Sequence, residues 1–271
     1  MKVQLAYILL LSSLCCGYAS AKIPSGFSPT PSFEDNFNGT TLNTQKWDYR
    51  GLGVRNNCIN TQSAVIVRNG YLTIKTYSDS SSGKLQNYCG MISTQKSFLQ
   101  SYGYWEAAVR FNRAEGNQVA FWVQSPTMGK DLTDPEKSGV EIDVFEHLAE
   151  ATQDQYDHAI HWNGYGSAHK QWSKKLSMGN LADGKFHKFA VAWTPNGYTF
   201  YVDGVLQHLS GLEQVPISIA NQYIILSSEV PRSYPAQGYG PINETTATFD
   251  VDYVKVYPYI PKKLQDAVFS T

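Results

Sequence analysis

From residue 64 to residue 257 the chain breaks into short runs of alternating apolar and polar residues, and most of them end at a turn signal. This pattern excludes most folds. Period-two alternation buries one face of a strand, and Asn-Gly or Asp-Gly pairs suit the two-residue turns of hairpins. The run from Ala64 meets Asn69-Gly70 and returns as Tyr71 to Tyr77. Phe186 to Thr194 turns at Pro195-Asn196-Gly197, returns through Tyr198 to Val202, and turns again at Asp203-Gly204 before Val205-Leu206. Tyr102–Phe111, Gln118–Gln124, Tyr223–Leu226 and Thr248–Tyr257 read as further strands. Helical periodicity is confined to Leu132–Lys137 and the C-terminal tail. The expectation is an all-β chain folded as a two-sheet antiparallel sandwich, a jelly roll of the concanavalin-like kind. A chain of 271 residues is long enough for one large all-β domain with a sizeable core.

Residues 1–21 read as a secretory signal. Lys2 carries the charge, Leu5 to Leu14 is apolar but too short to span a bilayer, and Ala19-Ser20-Ala21 offers a small-x-small cleavage site. A single domain is expected over residues 22–260, with a tail at 261–271. Lys and Arg number 22 against 23 Asp and Glu, so neither nucleic acid nor an anionic membrane is an expected partner. The mature chain is expected to be secreted and monomeric. Cleavage leaves two cysteines, Cys58 and Cys89, and an isolated pair in an oxidising compartment is expected to form a disulfide rather than remain as two buried thiols.

The chemistry concentrates in Glu141-Ile142-Asp143-Val144-Phe145-Glu146. Three acids sit in an otherwise apolar strand. Strict alternation puts Glu141 and Asp143 on one face and Glu146 on the other. A one-residue bulge after Asp143 would return Glu146 to the face of the other two. Crowded acids cannot all ionise cheaply, so at least one pKa should rise, as a general acid working near neutrality requires. The bland reading of the pattern is a charged strand face or a cation site. His158, His161 and His169 lack a Cys or carboxylate at zinc-ligand spacing, which argues against zinc.

The segment EIDVFE resembles the active-site signature of glycoside hydrolase family 16, the laminarinase and lichenase group, in its bulged form. FEDNFNGTTLNTQKWDYR, RNGYLTIKT, YGYWEAAVRF, FHKFAVAWTPNGYTFYVDG and FDVDYVKVY resemble other parts of that family, in family order. The resemblance implies a sandwich with a substrate cleft on its concave face. It implies a retaining endo-glycosidase of β-1,3- or mixed-linkage β-1,3-1,4-glucan, with Glu141 as nucleophile, Glu146 as acid/base and Asp143 assisting. It also implies that catalysis needs no cofactor, and that a structural calcium could be held by the Asp252 carboxylate and backbone carbonyls near Asn36 and Gly70. Trp105, Trp122, His161, Trp162 and Glu229 are the candidate substrate-binding residues, because sugar sites mix aromatic faces with polar groups. Trp47 and Trp193 are expected in the core.

The chain departs from the family pattern in places. Val140 stands where Gly is usual, Met91 and Ala108 stand where Arg is frequent, and the usual Asn and small residues are missing around Leu226–Pro231. These departures keep open a galactan such as agar or carrageenan as substrate. A transglycosylase of the same family and a non-catalytic sugar-binding lectin are the other readings. The lectin has no need of two glutamates flanking an aspartate. Asn38-Gly39-Thr40 and Asn243-Glu244-Thr245 are glycosylation sequons.

Overall fold

The computed structural model of the protein describes residues 23–234 and 237–262; the signal segment and most of the C-terminal tail lie outside them. Nearly all of the described chain's regular secondary structure is strand. It begins with β1 (Phe33–Asp35), β2 (Asp48–Tyr49), β3 (Gly53–Arg55), β4 (Cys58–Asn60), β5 (Val65–Arg68) and β6 (Tyr71–Lys75). β7 (Tyr77–Asp79), β8 (Gln86–Cys89) and β9 (Met91–Ser93) follow, then the long β10 (Gly103–Phe111) and β11 (Gln118–Gln124). A single turn of helix, α1 (Pro135–Ser138), precedes β12 (Glu141–His147), β13 (Gln155–Trp162) and β14 (Lys170–Ser177). The chain closes with β15 (His187–Thr194), β16 (Gly197–Val202), β17 (Val205–Leu206), β18 (Tyr223–Glu229) and β19 (Thr248–Tyr257). No helix among the described residues is long and apolar enough to cross a membrane.

Two large antiparallel sheets pack face to face, as the alternation predicts. The back sheet runs β17-β16-β15-β10-β19-β6-β5, with β1 also against β19; the cleft sheet runs β14-β13-β12-β11-β18-β9-β2. A small third sheet, β3-β4-β8-β7, lies beside them. The predicted hairpins form, because Asn69 and Gly70, then Asp203 and Gly204, take the positive φ that such turns demand.

The core lies between the large sheets. Trp105, Ala107, Val109 and Phe111 of β10 and Phe249, Val251 and Val254 of β19 face Phe121 and Val123 of β11 and Ile142 and Phe145 of β12. Trp47 and Trp193 are buried in the same core. Burying a side chain of this kind contributes roughly 1.5–3 kcal/mol each. A sandwich built this way leaves the outer face of the cleft sheet free to carry polar groups.

Candidate active site

β12 carries the acids and contains the expected bulge. Against β11, Phe121 pairs with Phe145 but Trp122 pairs with Asp143; against β13, Asp143 pairs with Ala159 and Glu146 with Asp157. One residue of β12 is therefore extra. Its consequence is visible in the packing: Ile142, Val144 and Phe145 all enter the core. Two consecutive inward residues put Glu146 back in phase with Glu141 and Asp143, and all three acids line one cleft.

That cleft, about 370 Å³, is floored by Gln118, Ala120, Trp122 and Gln124 of β11, with Ser227 and Glu229 of β18 beside them. The two outer glutamates are bound differently. Glu141 accepts hydrogen bonds through Oε2 from Gln124 Nε2 at 2.8 Å and from the Tyr165 hydroxyl. Glu146 accepts one bond through Oε1, from Gln118 Nε2 at 2.6 Å. Asp143, between them, stands 3.3 Å from His161 Nε2, and His161 stacks on His169.

Among the described residues no Lys or Arg makes an ion pair with any of these three acids. Burial and then the neighbouring Asp143 push Glu141 up to about 8. Burial, followed by Asp143, Glu141 and Asp157, holds Glu146 well above the usual carboxylate range. Burial opposes charge on His161, yet the Asp143 carboxylate outweighs it and raises the ring's pKa. The cluster therefore retains a proton near neutrality and titrates as a coupled set. Glu141, Asp143 and His161 are packed closely, with one nitrogen or oxygen of each within 4.8 Å of the others.

One flank of the cleft is built from a distance. Cys58 of β4 and Cys89 of β8 form the expected disulfide, with Cα atoms 5.9 Å apart. It ties the β3–β4 hairpin to β8, and the Asn57 N–H donates to the Val230 carbonyl just past the end of β18. The hairpin then reaches Glu229, which accepts bonds at 2.9 Å from both Arg55 and Asn56. Glu229 raises the pKa of Arg55 against the opposing effect of burial.

Of the residues nominated for substrate, Trp122 and Glu229 line the cleft, and His161 stands against Asp143. Trp122 also donates to the Ser227 hydroxyl. Two nominations are corrected. Trp105 is fully buried between the sheets against Phe98 and Trp193, on the inward parity of β10, and cannot meet a sugar. Trp162 follows His161 directly, so it faces the other side of β13 and packs on the core. Ala108 falls on the outer parity of the back sheet, opposite Tyr253 and Lys188, so it does not touch the cleft. Met91 does belong to the cleft sheet and packs in a small apolar cluster with Ala120, Trp122, Tyr223 and Ile225. His158 is buried against Phe200 in the core, which separates it from His161 and His169.

The calcium candidates fall near one another. Asp252 is the unpaired residue of a bulge in β19, since Val109 pairs with Val251 and Ala108 with Tyr253. The ends of β6 and β1, which lead to Gly70 and Asn36, pair with β19 on either side of it. Burial raises the Asp252 pKa. A single carboxylate with nearby carbonyls is a donor set that a hard cation accepts.

Sequence reasoning missed Gln118, Gln124, Arg50, Arg55 and Tyr165, all of which line the cleft. The two glutamines share the parity of Trp122 on β11, and that signal could have found them. Arg55 and Tyr165 arrive on segments whose own pattern says nothing of the site.

A family model described as Glycosyl hydrolases family 16 matches residues 53–255. The chain is 25% identical to "Glucan endo-1,3-beta-glucosidase A1" of Niallia circulans, over 83% of this chain and 37% of that protein. It is 24% identical to "Keratan-sulfate endo-1,4-beta-galactosidase" of Sphingobacterium multivorum, over 83% of this chain and 54% of that one. The chain thus spans about half or less of these relatives' own length. Its fold is similar to the catalytic domain of an endo-1,3-beta-glucanase (laminarinase) from Thermotoga petrophila RKU-1, with a TM-score of 0.65 and 22% identity over 85% of this chain and 98% of that one.

Proposed function

The chain belongs to glycosyl hydrolases family 16, and on that premise we propose that it is a secreted, retaining endo-glycoside hydrolase of β-1,3- or mixed-linkage β-1,3-1,4-glucan. One observation carries the reading: the β12 bulge puts Glu141, Asp143 and Glu146 on one face, in one cleft, where burial and neighbouring acids raise the pKa of both glutamates. In this reading Glu141 attacks the anomeric carbon as Glu146 protonates the departing glycosidic oxygen. Glu146, now ionised, takes a proton from water, which displaces Glu141 and regenerates both groups with the configuration retained. Asp143 between them tunes both, with His161 holding its position. Trp122 offers the apolar face on which a sugar ring stacks.

The test is product analysis. Reducing ends released from laminarin, lichenan, barley glucan, agarose and carrageenan identify the polymer, and NMR of the first-formed anomer identifies the stereochemistry. Fastest release from laminarin or a mixed-linkage glucan, with the β-anomer first, is expected. Inversion, or full activity in Glu141→Ala, would overturn it.

A second reading keeps the chemistry and changes the polymer to a β-galactan. The keratan-sulfate galactosidase is nearly as similar to this chain as the glucanase is. The guanidinium groups of Arg50 and Arg55, which line the cleft, also suit an anionic glycan. Agarose and carrageenan in the panel decide between the two. The same proposal places a structural calcium at Asp252, with the Asn36 and Gly70 carbonyls. A chelator should then lower the melting temperature, and added calcium should restore it.

A further inference from the structure

The two outer acids are served by two glutamines of the same strand, Gln124 and Gln118, whose own surroundings differ. Gln124 uses every hydrogen-bonding position it has. Its Nε2 donates to Glu141 Oε2 at 2.8 Å and to the Tyr165 hydroxyl at 2.6 Å. Its Oε1 accepts from the Tyr223 hydroxyl at 2.7 Å and from Arg50 Nη2 at 3.0 Å. Arg50 is itself tied to Gln95 at 2.9 Å and lies over the Tyr223 ring, 5.2 Å from its centroid. An amide whose oxygen is claimed by two donors cannot turn over without losing both bonds and facing its oxygen toward a carboxylate.

Gln118 has none of this bracing. Its Nε2 donates to Glu146 Oε1 at 2.6 Å, and among the described residues its Oε1 makes no hydrogen bond. Half a turn of the amide exchanges donor for acceptor. The same side chain can then donate to a Glu146 carboxylate or accept from a Glu146 carboxylic acid.

These two geometries match two different chemical duties, if Glu141 and Glu146 have the roles given under Proposed function. A nucleophile must be ionised and aimed when it attacks; an acid/base must lose and regain a proton each turnover. We propose that Gln124 is a locked donor that aims Glu141 and favours its ionised form against burial, and that Gln118 is a reversible partner whose amide turns over with the protonation of Glu146. Both are positioning residues, acting through the glutamates. Arg50 and Tyr223 act one step further back, by fixing which way Gln124 points.

Carboxyl-carbon NMR titration of the full chain, labelled at Glu, tests this without any substrate. Glu141 is read in a Glu146→Gln background and Glu146 in a Glu141→Gln background, so that the two titrations do not mix. Gln124→Met should raise the Glu141 pKa by about one unit or more, because a bond to the ionised form alone is lost. Gln118→Met should move the Glu146 pKa by less than half as much, because a partner that serves both forms favours neither. Arg50→Met should shift Glu141 upward, and should add nothing in the Gln124→Met background. Tyr223→Phe, which removes only a hydroxyl, gives the same directional test where a larger change impairs folding. Equal shifts from the two glutamine variants, or an Arg50 effect that persists without Gln124, would overturn the proposal. If the wild-type protein cleaves none of the panel glycans, the functional reading fails while the titrations still decide this one.

Discussion

On the back sheet, Asp250 of β19 is buried, and its carboxylate is fully answered. It accepts from Thr73 at 2.7 Å and from Arg110 through Nε at 3.0 Å and Nη2 at 2.7 Å. Glu106 of β10, also buried, accepts from the hydroxyls of Tyr104 and Tyr253. On the cleft sheet, Glu141 and Asp143 are buried to a similar degree, yet among the described residues their side-chain partners are one amide, one phenol and one imidazole. Between Asp250 and the cleft acids residue type and depth are alike; what differs is whether a guanidinium stands opposite. Asp250 is tied into the fold by that pairing. Glu141, buried without a cation, holds its proton more tightly and is available for chemistry.

The comparison can be broken by exchanging its terms. Glu141→Gln or Glu146→Gln should lower glycan cleavage by roughly 10²- to 10⁴-fold, the scale of acid–base contributions, without lowering the melting temperature. Reducing-end assays and calorimetry on the same preparations check both halves. A loss of stability equal to the loss of activity would place the cleft acids in the structural class.

The disulfide sharpens the comparison from the cleft side, where the stability it contributes comes from covalent closure and not from charge. Cys58 and Cys89 close a loop with a sequence separation of 31, for which the chain-entropy model gives about 3–4 kcal/mol. Cys89→Ser should lower denaturant stability by about that much. An unchanged midpoint would show that the β3–β4 hairpin is held by its contacts alone.

Asp250→Asn is the converse of the glutamate variants. It should cost about 2 kcal/mol, the scale of hydrogen bonds to a charged group, and leave most of the cleavage rate intact. Urea unfolding and the same assay measure it.

The smallest effect is the pH dependence of stability. Glu141 is pushed up to about 8 when folded, against an ordinary 4.5. The folded chain therefore binds the proton more tightly than the unfolded chain between those values. The stability this proton contributes is present at low pH and is lost as pH rises toward 8. Glu141→Gln should flatten that decline and raise the melting temperature by a few degrees at pH 8, read by scanning calorimetry across pH 5 to 8. A steeper decline in the variant would contradict the assignment of the proton.

Much of this was legible before any coordinates. Asn69-Gly70 and Asp203-Gly204 announce hairpins because their residues accept positive φ cheaply, and the structure has them. The acids at 141, 143 and 146 announce a bulge, and the register contains it. Parity could have done more. In β10, Trp105 shares its face with Ala107, Val109 and Phe111, which marks it as core, and neighbours such as His161 and Trp162 cannot share a face. The same rule would have put Gln118 and Gln124 beside Trp122.

Which residues alternate, where the chain turns and which strand carries the acids all follow from neighbours a few residues apart. What stands opposite the acids is set by the tertiary fold. Tyr165 reaches Glu141 from a loop 24 residues on, and Arg55 meets Glu229 across 174 residues. Such meetings depend on the order in which the strands pair and on a disulfide that anchors one hairpin. No local periodicity carries that information, since strand pairing is set by the burial of the whole core rather than by any one segment.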